Sequence, residues 1–372
     1  MALSVLLMAS LTACQGFLSD WFKTRPPVNI SPTPIASDRF VLPSPEEDVV
    51  GEIQVVMAHR GDTLPEIARR FNLGFEEILA ANPGVDFLTP GEGRRIVLPT
   101  QFILPPAPRA GIVLNLATLR LFYFPKPSPG EPLTVITHPI GIGRVGWSTP
   151  LGRTRVTKKE RHPMWYVPAS IRREHAHRGD PLPAAVPSGP KNPLGDYALR
   201  LTYPRYLIHG TNKPYGIGMR VSHGCIQLYP EDIASLFDQV PVGTPVTVVN
   251  QPVLIGWHEG QPYLEIHPPL EDDKRPWFKQ LPVLIKAQAH ANRLTLSQID
   301  WEKAWRLMQA PRGLPVPILV GTLTQEELVA NAPWVKNRLP AGMNYSDTLP
   351  AIRDEQPRTA PARDHDCRSP PC

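Results

Sequence analysis

Cysteine is scarce in this chain: there are four in 372 residues, at 14, 225, 367 and 372. No C-x-x-C pair occurs, so the usual spacing of a structural zinc site is missing. Charge of one sign is lacking too, with 39 Lys and Arg against 34 Asp and Glu. No long basic run and no basic stretch interleaved with aromatics suggests a nucleic-acid surface; mild attraction to an anionic polymer is what remains. The uncharged apolar stretch at residues 2–13 is too short to cross a bilayer and reads as the h-region of a signal peptide. A dinucleotide fold is excluded on context. Gly141-Ile-Gly-Arg-Val-Gly146 has the G-x-G-x-x-G form, yet Trp-Ser-Thr-Pro follows it in place of a helix, and no βαβ unit surrounds it. No residue pattern calls for a cofactor or a metal.

Proline is in excess, 47 of 372 against an average usage of about 5%. It divides a chain long enough for two or three domains. A semi-rigid, Pro-rich linker is expected over 14–51, and a second from Pro99 to Pro108. Between them, residues 52–99 read as a small module. Ile53, Val55 and Met57 alternate as a strand, and Thr63-Leu-Pro-Glu66 is a capping box with proline in the first turn. Leu64, Ile67, Ala68 and Phe71 mark one apolar helix face. Phe75, Ile78 and Leu79 give a second helix stopped by Asn82-Pro-Gly84, and Arg95-Ile-Val-Leu98 returns as a strand.

Beyond Pro108, Ile112–Leu116 and Leu119–Phe124 flank Ala117-Thr118 as a hairpin, and Leu133–Thr137 is another strand. Residues 158–194, polar and rich in proline, read as a solvated loop insertion rimming a site, Glu174-His-Ala-His177 included. After Asn250 two strands pair around His258-Glu-Gly260, and 297–308 and 325–330 read as helices. This extension, 251–340, carries no assigned chemistry. Residues 341–372 read as a disordered tail.

The chemistry concentrates between Tyr206 and Tyr229. Cys225 has His209 sixteen positions upstream, His223 two before it and Gly224 beside it. A thiol becomes a useful nucleophile when a base or positive charge lowers its pKa from about 8.5 to roughly 3.5–7.5, and either His209 or His223 could do so. Tyr206-Leu-Ile closes an apolar run as a strand, which puts His209 at a strand end. Asn212, Pro214, Gly216 and Gly218 make the next segment a loop, and Pro230-Glu-Asp opens a helix. Cys225 therefore falls on a loop-to-helix turn. The backbone N–H groups of His223, Gly224 and Cys225 can face an oxyanion there, and Gly224 lets the backbone approach a substrate. A zinc site on His209, His223 and Cys225 would lack a fourth ligand. An inert, buried cysteine fits poorly beside Ser222-His-Gly.

The order His209-Gly-Thr-Asn212, a gap, then Ser222-His-Gly-Cys225 resembles the L,D-transpeptidases of the YkuD catalytic-domain type, especially the envelope subgroup that includes ErfK. Gly141–Gly152, Met164–Arg172, Asn192–Arg200 and Val240–Pro245 fit the same subgroup, so the resemblance spans roughly 52–270. It implies a mainly β protein with a mixed β-sandwich catalytic domain over 110–250. It further implies an exported enzyme acting on peptidoglycan, in which Cys225 attacks the carbonyl between the L-centre of meso-diaminopimelate and the terminal D-Ala of a tetrapeptide stem. His209 would serve as base and then acid, oriented by the main-chain carbonyl of Gly210. Tyr206, Asn212 and Ser222 match positions near the acyl-donor groove, and Arg220 is assigned to a stem carboxylate. Gln227 stands where relatives often carry Arg or Asn, which bears on donor and acceptor preference. The acceptor stays open: an amine of a second stem, a lysine of an outer-membrane lipoprotein, or water, which would make the enzyme a hydrolase. A non-catalytic wall-tethering protein is the remaining alternative, and the intact Cys225 and His209 speak against it.

The module at 52–99, with Gly61-Asp-Thr-Leu, Ala81-Asn-Pro-Gly and Leu88-Thr-Pro-Gly91, is similar to a LysM domain of βααβ order. That implies binding of N-acetylglucosamine-containing glycan beside the turns Gly61-Asp62-Thr63 and Asn82-Pro83. Leu11-Thr-Ala-Cys14 resembles a bacterial lipobox, which implies removal of 1–13, a lipid on Cys14 and, with Gln15 following, an outer-membrane anchor facing the periplasm. A plain cleaved signal peptide stays open, as does whether Cys367 and Cys372 pair.

Overall fold

The computed structural model describes residues 30–31 and 38–337. The expectations for the signal peptide, for Cys14 and for 341–372 with its two cysteines lie outside the described residues. The architecture is mainly β. A nine-stranded sheet runs in the order Ile226–Gln227, Leu207–His209, Tyr197–Leu201, Gly152–Arg161, Pro245–Val249, Gly111–Asn115, Arg120–Phe124, Thr134–Pro139 and Arg39–Val41. Its long strand Gly152–Arg161 pairs with Pro245–Val249 through its first half and with Tyr197–Leu201 through its second. At that handover the ladder shifts register between Val156 and Lys158, and beyond it Ile208 and Ile226 of the site strands pack into one core with Ile112 and Leu114 of the hairpin.

The hairpin Gly111–Asn115/Arg120–Phe124 forms as its pattern predicts, and its lack of polar alternation has a physical cause. A strand covered on both faces has no solvent side to mark with polar residues. Ile112, Leu114, Leu121 and Tyr123 face one core with Ile208, Ile226 and the helix Pro230–Gln239. Val113, Phe122 and Phe124 face another, built with Leu64, Ile67, Phe71, Leu73 and Ile78. The helices Leu64–Arg70 and Phe75–Ala81 are thus the second layer on the catalytic sheet. The module is fused to it, not strung on a tether.

A buried ion pair fixes the join. Arg120 Nε and Nη2 meet the two carboxylate oxygens of Glu77 at 2.6 and 2.8 Å, Nη1 reaches Thr137, and Nη2 also donates to the Asn72 carbonyl. Its guanidinium lies 4.0 Å over the Phe102 ring. Removing either partner would strand a buried charge, a loss of about 3–5 kcal/mol.

Both expected linkers need correction. Arg39–Val41 is the outer strand of the nine-stranded sheet, and Val49–Gly51 pairs with Gln101–Ile103. Phe40, Leu42, Phe102, Ile103 and Leu104 are buried, so among the described residues the prolines at 43, 45, 99, 105, 106 and 108 punctuate packed segments rather than free spacers. The insertion at 158–194 contains the helix Ala169–His177, which starts just after Pro168. In the extension, Val253–His258 and Gln261–Ile266 pair as expected. The helix Trp277–Ala291, which carries Pro282 in its interior, was not foreseen; Trp301–Gln309 and Gln325–Asn331 lie near their expected places. The strand Trp334–Val335 then runs parallel to Gln54–Met57 and takes Ile30–Ser31, also parallel, on its other side, so the extension supplies an inner strand of the small module's four-stranded sheet.

Candidate active site

His209 ends the strand Leu207–His209, paired antiparallel to Ala198 on one side and parallel to Gln227 on the other. The parallel register sets Ile226 beside Ile208 and Gln227 beside His209, so Cys225 enters the pair level with Leu207, two positions before the histidine. The ring is buried, and Nδ1 lies 2.6 Å from the Gly210 carbonyl. A carbonyl can only accept, so Nδ1 carries the proton and Nε2 keeps its lone pair. Burial pulls His209 down to about 4, against weaker upward effects of the Gly210 and Leu194 backbone.

Cys225 is half-buried. Burial pushes its thiol up to about 11, opposed by the Leu207 backbone and the Arg200 charge. The thiol donates weakly to the Arg205 carbonyl at 3.6 Å. In the resting state the site therefore holds a neutral thiol and a neutral imidazole, with the proton not yet shared between them.

The turn behind the sulfur is braced from inside. Ser222 Oγ accepts the Gly224 N–H at 3.1 Å and donates to the Cys225 carbonyl at 2.6 Å, while Thr149 Oγ1 donates to the Gly224 carbonyl at 2.8 Å. Gly224 has φ +102°, and a Cβ there would come within 3.0 Å of the Tyr206 ring, so glycine is required on both counts. Two expectations change as a result. Ser222 is buried and spent on the turn, not on an acyl-donor groove. The Gly224 N–H, expected in the oxyanion hole, is already engaged by Ser222 Oγ.

Arg220 is also committed. Its Nη1 and Nη2 reach the two carboxylate oxygens of Asp272 at 3.0 and 3.2 Å, and Nε donates to the Gly143 carbonyl. The acidic segment of the extension neutralises it, so it is not free for a stem carboxylate. Asn212 is exposed and donates to the Pro190 carbonyl, tying the loop to the insertion. Tyr206 is half-buried against Gly224, its hydroxyl 3.4 Å from the Ser148 carbonyl. Gln227 is half-buried, and its backbone exchanges two hydrogen bonds with Gly141.

Sequence reasoning missed a cluster beside His223. Arg144 Nη2 binds both oxygens of Glu174 at 2.5 and 2.6 Å, and His223 Nε2 lies 3.2 Å from that carboxylate. The Trp147 ring meets the imidazole edge-on at 4.8 Å. Arg144, with a smaller contribution from His223, holds the Glu174 carboxyl down to about 2. Glu174 sits on the helix Ala169–His177, so the insertion is pinned to the catalytic turn. The basic and acidic residues were visible in the sequence, but a 30-residue separation hid their meeting.

The residues expected to touch glycan divide. Asp62 is buried, paired with Arg70 at 2.7 Å and accepting from the His59 N–H and the Asn337 side chain. Thr63 caps its helix reciprocally with Glu66. Asn82 ties the second helix to Val97 through two hydrogen bonds. These three side chains hold the turns together, which leaves Gly61 and Pro83 as the exposed members of the set.

A neutral imidazole held through Nδ1 by the Gly210 carbonyl, a thiol at the start of the strand paired beside it and a braced glycine turn are the parts of a cysteine acyl-transfer site. Residues 109–248 match the YkuD L,D-transpeptidase catalytic domain, and residues 59–99 match the LysM domain. Over 291 residues the chain is 39% identical to the probable L,D-transpeptidase YcfS of Escherichia coli K12, covering 77% of this chain and 89% of that one. It is 40% identical over 291 residues to the probable L,D-transpeptidase ErfK/SrfK of the same strain, covering 76% and 91%. A third relative there, the probable L,D-transpeptidase YbiS, is 43% identical over 235 residues, 62% of this chain and 75% of its own. The chain belongs to the L,D-transpeptidase family with a YkuD catalytic domain and a LysM domain.

Proposed function

We propose that the protein is a peptidoglycan L,D-transpeptidase working through a thioester on Cys225. The observation that supports this most is the orientation of His209, whose Nδ1–H is held by the Gly210 carbonyl so that Nε2 is the free base. As the sulfur attacks the carbonyl that precedes the terminal D-Ala, the thiol proton passes to Nε2. The N–H groups of His223 and Cys225 receive the oxyanion. Collapse breaks the amide bond, and His209 returns the proton to the departing D-Ala amine. An amine then attacks the thioester, again losing its proton to Nε2, and the thiol is regenerated. Incubation with a tetrapeptide muropeptide should give a mass adduct on Cys225 equal to the stem minus D-Ala. Release of D-Ala without any adduct at Cys225 under rapid quench would sink this reading.

The acceptor in this proposal is an amine of a second stem or of an outer-membrane lipoprotein lysine. The LysM module supports peptidoglycan as the partner. Lipidation at Cys14 would anchor the enzyme to the outer membrane, in the periplasm, with the wall within reach. Cys14→Ala exported through a conventional signal should leave the purified enzyme's activity intact and shift it in cells from the membrane to the soluble periplasmic fraction. Wild-type protein found soluble, with an N-terminus beyond Cys14, would remove the anchor and leave the enzyme standing.

A further inference from the structure

We infer that the LysM module is a positioning part of the catalytic centre, because residues 69–76 hold both shoulders of the segment that carries Cys225. The inference rests on the transpeptidase reading above and adds to it a second task for the module besides glycan binding.

The entry shoulder is the loop before the strand Arg220–Ser222. The first N–H groups of the helix Phe75–Ala81 donate into it, Phe75 to the Ile217 carbonyl at 3.1 Å and Glu76 to the Gly218 carbonyl at 3.2 Å. The two backbones touch: a Cβ on Gly74 would lie 2.7 Å from Gly218 Cα, and one on Gly218, whose φ is +79°, 2.2 Å from Phe75 N. From there the path to the sulfur is short and stiff. Gly218 N–H donates to the Ile140 carbonyl, Ile142 N–H to the Met219 carbonyl, and Arg220–Ser222 pairs with Ile142–Gly143. Ser222 then braces the turn.

The exit shoulder is Tyr229 and the start of the helix Pro230–Gln239. The buried Tyr229 hydroxyl donates to the Leu73 carbonyl at 3.1 Å. Arg69 meets both oxygens of Glu231 at 2.8 and 2.9 Å and lies 5.4 Å from the Tyr229 ring centroid. Only eleven positions separate Gly218 from Tyr229, and the end of one helix, the turn after it and the start of the next grip both. A misplacement of about 1 Å at a reacting group can cost on the order of 10²-fold in rate, so the grip bears on turnover even when the substrate has no glycan.

The test uses the full chain and a soluble stem tetrapeptide without sugar. Arg69→Glu puts a third carboxylate beside Glu231 and Asp232, and Gly74→Ala pushes on Gly218. Each should lower kcat for D-Ala release about tenfold with KM within about twofold, while sedimentation with purified peptidoglycan stays at the wild-type level. The charge swap Arg69→Glu/Glu231→Arg should bring kcat back to within about threefold of wild type. Wild-type kcat in both single variants, or a loss that the swap does not restore, overturns the inference. Wild-type enzyme that releases no D-Ala at all would instead overturn the transpeptidase reading, so the two failures are told apart.

Discussion

Cys225→Ala is expected to lose D-Ala release by on the order of 10⁴-fold or more, the scale seen when a covalent nucleophile is removed. Cys225→Ser should do little better, since a hydroxyl starts from a far higher pKa and the help available is small: His209 is neutral, and the Arg200 charge, which is bonded to Glu160 at 2.9 Å, is outweighed by burial even for the thiol. His209→Gln keeps much of the shape and removes the base, so a loss of roughly 10²–10⁴-fold follows. The double variant Cys225→Ala/His209→Gln should be no slower than Cys225→Ala alone, because the two residues act in one step. Single-turnover release of D-Ala, followed by mass, measures all of these. Activity of Cys225→Ala within tenfold of wild type would refute the nucleophile assignment.

The second large effect concerns pH. Burial raises the Cys225 thiol to about 11 and lowers His209 to about 4. A raised thiol pKa means the thiolate appears only as pH climbs towards 11. At pH 7 its fraction is roughly 10⁻⁴, about 300-fold below that of an ordinary thiol near 8.5. Alkylation of the free enzyme by iodoacetamide should therefore be slow at pH 7 and rise close to tenfold per pH unit up to about pH 10. His209, with its lowered pKa, is the neutral base at every pH well above 4, so turnover should fall only on the acid side as pH drops towards 4. A plateau of alkylation between pH 5 and 8 would mean that a thiolate–imidazolium pair stands ready in the free enzyme, against the neutral pair that burial favours.

The parts of this site that sequence made legible are those carried by short, ordered motifs. The spacing of His209 and Cys225 and the strand that ends on His209 could be read directly, as could the capping box at Thr63; the short strands Arg220–Ser222 and Ile226–Gln227 that flank Cys225, where a loop-to-helix turn was expected, could not. What could not be read depends on meetings across the fold. The identity of Arg220 invites a carboxylate partner, but nothing local says that Asp272 fills the place. Ser222 beside the nucleophile looks like a substrate contact until its two turn-bracing hydrogen bonds are seen. Proline misled in a different way: Phe102, Ile103 and Leu104, apolar residues between Pro99 and Pro105, were the sign that the segment packs. The helix Ala169–His177 has no buried residue besides Ile171, so its amphipathic pattern was too thin to recognise. Arg120 and Glu77, each ordinary in its own segment, become the join between layers only when the hairpin is seen to be covered on both faces.

The strand Trp334–Val335 lies along Gln54–Met57, and Val329 and Ala332 cover Val55, Val97 and Ala81 beside it. A sheet of two strands would otherwise end in a row of unpaired N–H and C=O groups, a template on which another chain can add. The residues that close this edge come from about 280 positions further along, and Asn337 finishes the closure by donating to the Met57 carbonyl. A fragment cut at 52–99 therefore carries an open edge and a bare apolar face that the intact protein never presents. Such a fragment is set up to self-associate, and glycan affinity measured on it would describe that exposed surface as much as the module's own groove.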